Sequence, residues 1–270
     1  MLYSAHMKYF DAHCHVQFPM YDEDRETVIA RMQEAEVAGL VVGVDYESSK
    51  KAIALAQQYE HLYASVGLHP NSVGIESFDR DTFSSLAKNG KVVAIGECGL
   101  DYFRPEDPEA AKQKQREVFQ YHIDLAGTSG KPLMIHARPR KGTMDAYEDA
   151  LGMLEKAKKM YPTLRGNFHF FVGDTPTARR IVTLDFSISY TAVLTFTHDY
   201  DEVVRSIPLT SLISETDAPY VAPAPNRGKR NDPLAVIQVV EAFARIRGED
   251  PEMVRETVLG NAERMFALRA

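Results

Sequence analysis

The sequence predicts a (β/α)8 barrel. Short apolar or β-branched runs alternate with segments of helical spacing, the pattern of parallel β-α-β units. Eight such runs occur in 270 residues, which is the number that closes a barrel and a length that suits one. Several runs also end in histidine or a carboxylate, where an apolar strand would simply stop. The same alternation allows an open doubly wound sheet as the structural alternative.

The first run, 8–13 (KYFDAH), leads into a helical segment over 22–38, where Val28, Met32 and Ala35 keep one face and Gly39 is placed as its C-terminal stop. The run at 40–45 (LVVGVD) precedes a helix over 48–59, and that at 62–69 (LYASVGLH) precedes one over 79–88. Residues 92–97 (VVAIGE) and 132–136 (PLMIH) are followed by helices over 108–127 and 143–160. The last three runs, 165–172 (RGNFHFFV), 186–191 (FSISYT) and 211–217 (SLISETD), lead to helices over 175–182, 199–206 and 233–247. Prolines and a glycine in 219–233 (PYVAPAPNRGKRNDP) make that stretch a long loop after the eighth strand. No low-complexity tract or Ser/Gly linker divides the chain, so one domain is expected over 1–270, with the folded barrel at about 8–268.

Composition excludes several classes. At 44% hydrophobic and 26% charged, the chain is neither disordered, collagen-like nor a coiled coil. No apolar stretch is long enough for a transmembrane helix, and MLYSAHMKYF is no signal peptide, so a cytoplasmic protein with no membrane partner is expected. Cys14 and Cys98 are too few for a disulfide scaffold and are expected as reduced thiols. A net charge of -7 argues against nucleic-acid binding over the whole surface, which leaves local basic patches to do it.

The chemistry collects at the strand ends. The period of two along a strand puts His13 and His15 on one face, beside Asp11, and turns Cys14 away. Glu97, His136 and Asp217 end the fourth, fifth and eighth runs, and His169 lies late in the sixth. In a barrel these ends converge on one mouth. Each residue alone could be a satisfied polar group of the core. Together, four imidazoles and two carboxylates without a cation would leave lone pairs unpaired and like charges adjacent, so the set suits one or two divalent ions of the zinc, manganese or magnesium type.

With those residues in place, the chain resembles the TatD-family metal-dependent deoxyribonucleases, a branch of the amidohydrolase-like barrels. The resemblance rests on FDAHCHV at 10–16, GLHP at 67–70, IGECGLDY at 95–102, IHAR at 135–138, ETDAPY at 215–220, RGKRN at 227–231 and GNAERMF at 260–266. It implies metal ligands at His13, His15, Glu97, His136, His169 and Asp217, the six that spacing had already singled out. Three positions depart from the family pattern. Gln17 stands where an Asp or Asn is usual, Phe170 follows His169 where a small or thiol residue is usual, and RPRKGTMDAY at 138–147 is longer and more basic.

The expected arrangement is one ion on His13, His15 and Asp217, a second on His136 and His169, and Glu97 bridging them. Such a centre activates water near neutral pH and stabilises charge on attacking and leaving oxygens, with Asp217 also the general base. His69 is expected to contact a phosphate oxygen, or else to be structural. Asp101 and Tyr102 are placed in a loop after Glu97, to orient ligands or stack on a base, and Glu215 supports the ligands from the side of Asp217. Arg104, Arg138, Arg140, Lys141, Arg227, Lys229 and Arg230 follow strands four, five and eight and form a phosphate-binding rim. His6, His61, His122 and His198 are read as surface or packing residues.

The function expected is hydrolysis of phosphodiester bonds in DNA, most simply as an exonuclease on single strands, with RNA as a further substrate class and no obligate protein partner. An acyl or amide hydrolase, such as a deacylase of mischarged tRNA, is the alternative chemistry, and a noncatalytic nucleic-acid scaffold is a third.

Overall fold

The computed structural model describes residues 7–76, 78–103 and 109–268. Eight parallel strands follow one another around a single sheet in sequence order. They are β1 Tyr9–Cys14, β2 Val37–Val42, β3 Leu62–Val66, β4 Val92–Asp101, β5 Leu133–Arg138, β6 Gly166–Phe168, β7 Phe186–Tyr190 and β8 Leu212–Ser214. Between and after them lie α1 Arg25–Glu34, α2 Tyr46–Gln58, α3 Arg80–Leu86, α4 Glu109–Ser129, α5 Asp145–Met160, α6 Thr175–Thr183, α7 Asp201–Ser206, α8 Val236–Arg247 and α9 Pro251–Phe266. The ring closes where the chain beyond β8 meets β1. Asp217 N donates to His13 O at 2.8 Å and His15 N to Ala218 O at 2.7 Å. Among the described residues no helix is long and apolar enough to cross a membrane.

Alternate strand residues turn inward. Phe10, Ala12, Leu40, Val42, Ala94, Met134 and Ile213 pack together inside the sheet, where Ala262 and Phe266 of α9 join them. Their opposite neighbours, such as Val41, Ile95, Leu133 and Ile135, belong to the larger cluster under the helices. Two of the bulges that break this alternation lie beside candidate ligands, while a third shifts β4 against β3 between Val92 and Ala94. Asp11 pairs with Gly39 but Cys14 with Val41, and Ile95 pairs with Leu133 but Cys98 with Ile135. Each bulge inserts one residue against the partner strand and re-aims the side chains beyond it. Ala12 and His13 can therefore both serve the interior, as can Ala94 and Glu97. At the second bulge Gly96 has φ 138°, and a Cβ there would meet Met134 O at 2.3 Å, so only glycine fits.

Several expectations about elements are corrected. The sixth and eighth strands end at Phe168 and Ser214, so His169 and Asp217 stand just beyond them, and the fifth runs past His136 to Arg138. The first helix stops at Glu34, because Val37 already pairs in β2. Gly39 is a strand residue pressed against Met32, and the turn is made at Glu36 with φ 57°. The fourth strand does not end at Glu97 but runs on to Asp101, because Gly99, Leu100 and Asp101 keep pairing with β5. The ninth helix, α9, was not expected. It is capped by Asp250, which accepts from Met253 N at 2.9 Å. Its Asn261 donates to Leu209 O and Leu212 O, both at 2.8 Å, and so pins the start of β8.

His122 lies buried in α4, the packing role read for it. Its Nδ1–H donates to Val118 O at 2.8 Å, which leaves Nε2 to accept from Leu68 N at 3.1 Å and hold the loop that carries His69. Burial pushes the imidazole down to about 4 from the 6.5 of a solvated ring. Between those values the unfolded chain binds the extra proton, so stability is complete above 6.5 and is lost as pH falls towards 4. The effect is worth about 3 kcal/mol. Thermal melts from pH 4 to 7 are expected to show a flatter pH dependence for His122→Gln, and an unchanged slope would refute this role.

Candidate metal centre

All six expected ligands meet at the mouth around one carboxylate. Glu97 is buried at the bulge of β4, with its two oxygens facing different histidines. Oε2 lies 3.3 Å from His13 Nε2 and 3.9 Å from His15 Nε2. Oε1 lies 2.9 Å from His169 Nε2, 3.1 Å from His136 Nδ1 and 3.4 Å from His69 Nε2. Asp217 completes the first group, its Oδ1 being 3.5 Å from His15 Nε2 and 3.9 Å from His13 Nε2. Asp217 sits at φ 54°, an unusual backbone for a non-glycine, held by the closing bond to His13 O.

The ring nitrogens are set by what lies behind them. His15 Nδ1–H donates to Val42 O at 2.9 Å, which turns a bare Nε2 towards the centre. Gln17, the departure after the HxH motif, donates Nε2–H to the same carbonyl at 2.6 Å and so braces the contact that orients His15. His136 Nε2–H donates to Asp101 Oδ2 at 3.1 Å, leaving Nδ1 bare towards Glu97. Glu215 accepts from Phe170 N and Ser189 Oγ, both at 2.6 Å, and its Oε1 lies 3.6 Å from His169 Nδ1. It thereby ties the segment carrying His169 to β7, in keeping with the supporting place expected of it.

Electrostatics follow from this packing. Burial opposes the charge on Glu97, but His169, His69 and His13 hold its carboxyl well below the usual range. Burial likewise works against protonated His169, but Glu97 and Glu215 raise its pKa well above normal. Burial pushes His13 down.

The donor set fits metal ions. With ligand bonds of about 2.0–2.1 Å, two ligands of a tetrahedral ion stand about 3.3 Å apart. His13 and His15 Nε2 are 3.1 Å apart, and His136 Nδ1 and His169 Nε2 are 3.3 Å apart. Three overlapping groups have the required proximity: His13, His15 and Asp217; His13, Glu97 and His169; and His69, Glu97 and His136. His69 differs from the rest, because its Nδ1 accepts from Asn71 N at 3.1 Å. In the neutral ring the proton is then on Nε2, which makes His69 a donor into the mouth.

The residues expected around the substrate fare unevenly. Asp101 ends β4 instead of lying in a loop, and it is buried. Besides His136 it accepts from Asn71 Nδ2 and Phe103 N, each at 3.1 Å, so it orients a ligand and does not reach substrate. Burial pushes its carboxyl up, but the bond and charge of His136, with the bonds from Phe103 N and Asn71, together hold it down at about 2. Tyr102 is fully buried and donates its hydroxyl to Asp149 Oδ2 at 2.9 Å, so it cannot stack on a base. Arg230 is spent on α1, where both its terminal nitrogens bond Asp24, at 2.7 and 2.6 Å, and one also bonds Met20 O. Arg140 is paired with Asp145 at 2.8 Å. Arg138 lines the mouth with its guanidinium 3.9 Å from the centre of the Phe103 ring, and Arg227 lies 4.2 Å from that of Phe196. Lys141 and Lys229 are exposed, while Arg104 and His6 lie outside the described residues.

Sequence reasoning missed the apolar side of the mouth. The cavity, about 430 Å³, is lined by Phe18, Val44, Phe170, Val172 and Tyr220 as well as by the polar cluster. Phe18 stacks on His15 with centroids 4.5 Å apart and planes at 11°. Their positions beside ligand motifs, at 18 after His15, 170 after His169 and 220 after Asp217, were the available clue.

Fold and site together define a β/α barrel with a histidine–carboxylate centre at its mouth. Residues 10–267 match the family described as TatD related DNase, and the chain belongs to that family. It is 35% identical over 263 residues to YabD of Bacillus subtilis, named an uncharacterized metal-dependent hydrolase, covering 96% of this chain and 99% of YabD. It is 34% identical over 267 residues to the protein of the same description named TatD in Mycobacterium tuberculosis, covering 96% and 97%. The crystal structure of YjjV, a TatD homolog from Escherichia coli K12, superposes with a TM-score of 0.87 at 27% identity, covering 97% of this chain and 99% of that one. Dihydroorotase from Campylobacter jejuni shares the barrel alone, at a TM-score of 0.59 and 14% identity.

Proposed function

We propose that the protein is a divalent-metal-dependent phosphodiesterase that trims DNA single strands. The observation that carries this reading is Glu97, whose two oxygens face two separate clusters of ring nitrogens. Two ions would be held there, one by His13, His15 and Asp217, the other by His136 and His169, with Glu97 shared. Four imidazoles favour zinc or another transition metal over magnesium, which prefers oxygen ligands. When bound, such a pair lowers the pKa of water and offsets charge on the attacking and leaving oxygens of a phosphodiester.

The chain supplies the rest. Asp217, partly open to the mouth, takes the proton of the attacking water. His69 Nε2–H donates to a phosphate oxygen, and Arg138 lies at the rim to receive a neighbouring phosphate. Asp101, Glu215 and Gln17 act only through the histidines they hold. A cavity of about 430 Å³ suits one unpaired nucleotide better than a duplex, which supports single strands as substrate.

The test is to present an end-labelled single-stranded oligonucleotide and an aminoacyl ester to the metal-loaded protein. Hydrolysis of the diester is expected. Cleavage of the ester alone would move the site to acyl chemistry.

A salt series defines the grip. Replacing Arg138, Arg227 and Lys229 with alanine is expected to reduce the slope of log affinity against log salt by about 0.7 for each phosphate no longer neutralised, about 2 in all. Arg230→Ala is expected to leave the slope alone, since its guanidinium is held by Asp24. Equal slopes for the wild type and the triple variant would show that nucleic acid is gripped elsewhere.

A further inference from the structure

Phosphate chemistry does not account for the apolar lining of the mouth. Hydrated phosphodiesters gain nothing from Phe170 or Tyr220, yet both line the cavity over the metal ligands. Tyr220 follows β8 and is 48% exposed beside His15, with ring centroids 6.5 Å apart. Its backbone N–H donates to Asp217 O at 2.8 Å, which fixes it next to a ligand. Phe170 follows β6 on another wall. It has φ 43°, a left-handed backbone that is uncommon for a bulky residue and persists where the surroundings hold it. Here the hold is Glu215, which accepts from Phe170 N at 2.6 Å. One side of the Phe170 ring packs against the apolar core, and the ring also lines the mouth.

Building on the phosphodiesterase reading, we propose that Phe170 and Tyr220 are the base-recognising residues of the mouth, and that the unpaired nucleobase next to the scissile phosphate stacks between them. Phe18 is already stacked on His15 and braces that ligand. Arg138 and the ligands below then hold the phosphates while the two rings hold a base. Every base has a π-face, so this grip tolerates sequence but demands an unstacked nucleotide.

The experiment is a cycle between protein ring and nucleic-acid base. Two single-stranded oligonucleotides are used, one intact and one with an abasic residue beside the cleaved bond. Wild type, Phe170→Leu and Tyr220→Leu are compared by KM. They are also compared by Kd from fluorescence anisotropy on phosphorothioate versions that resist hydrolysis. On the intact strand each leucine variant is expected to lose about tenfold or more in both quantities, the range seen when a stacking ring is removed. On the abasic strand the variants and wild type should differ by less than about twofold, because the ring has no base left to stack on. Phe170→Tyr and Tyr220→Phe should recover wild-type behaviour.

Equal losses on the two strands, or no loss on the intact one, would overturn the proposal while leaving phosphodiester cleavage standing. Base-dependent binding without cleavage would instead sink the phosphodiesterase reading and keep the base site. Absence of both binding and cleavage would remove the two together.

Discussion

Glu97→Gln is expected to lower turnover at least about a thousandfold and to reduce metal stoichiometry, while the far-UV circular dichroism spectrum stays native. The substitution keeps shape but removes the one charge that faces both ligand groups, and it turns an N–H towards a histidine nitrogen. A bridged pair of ions contributes several kcal/mol to transition-state stabilisation, and each 1.36 kcal/mol is a factor of ten in rate. The fold should survive, because Glu97 lies at the mouth, above the packed layer of Ala94, Met134 and Phe10. Near-normal turnover with two ions still bound would refute the bridging role.

Removing metal is expected to abolish hydrolysis, and adding zinc or manganese to restore it. A second readout is independent of activity. An ion bound at a thousand times its Kd stabilises the folded state by about 4 kcal/mol, so stripping it should lower the melting temperature by about 10 °C. The physical cause is the crowding of ring nitrogens at the mouth: His13 and His15 Nε2 stand 3.1 Å apart, and His136 Nδ1 and His169 Nε2 stand 3.3 Å apart. Full activity with the metal content verified as nil would end this reading.

The convergence of the six candidate ligands was legible from the chain because each stands where an apolar run gives way to a polar residue, and barrel geometry brings those positions to one mouth. Alternation also separated His13 and His15 from Cys14, whose thiol indeed lies buried against Leu40 O. The supporting residues were less legible. Asp101 and Tyr102 are adjacent, and nothing local says that one pins His136 while the other reaches Asp149 behind the sheet. Arg230 reads as part of a basic patch until Asp24, remote in sequence, is seen to hold it.

By itself the sequence determined the alternation of strands and helices, the six residues able to bind metal and the absence of a disulfide framework. These depend on local period and residue chemistry, which neighbours along the chain express. Only the tertiary structure decided that β4 continues past Glu97, that bulges in β1 and β4 re-aim the ligands, and that Phe170 and Tyr220 share a mouth with them. Those outcomes depend on which distant segments pair and pack. A bulge is a mismatch between two strands, and a cavity wall is a meeting of several loops, so neither is written in any one stretch of residues.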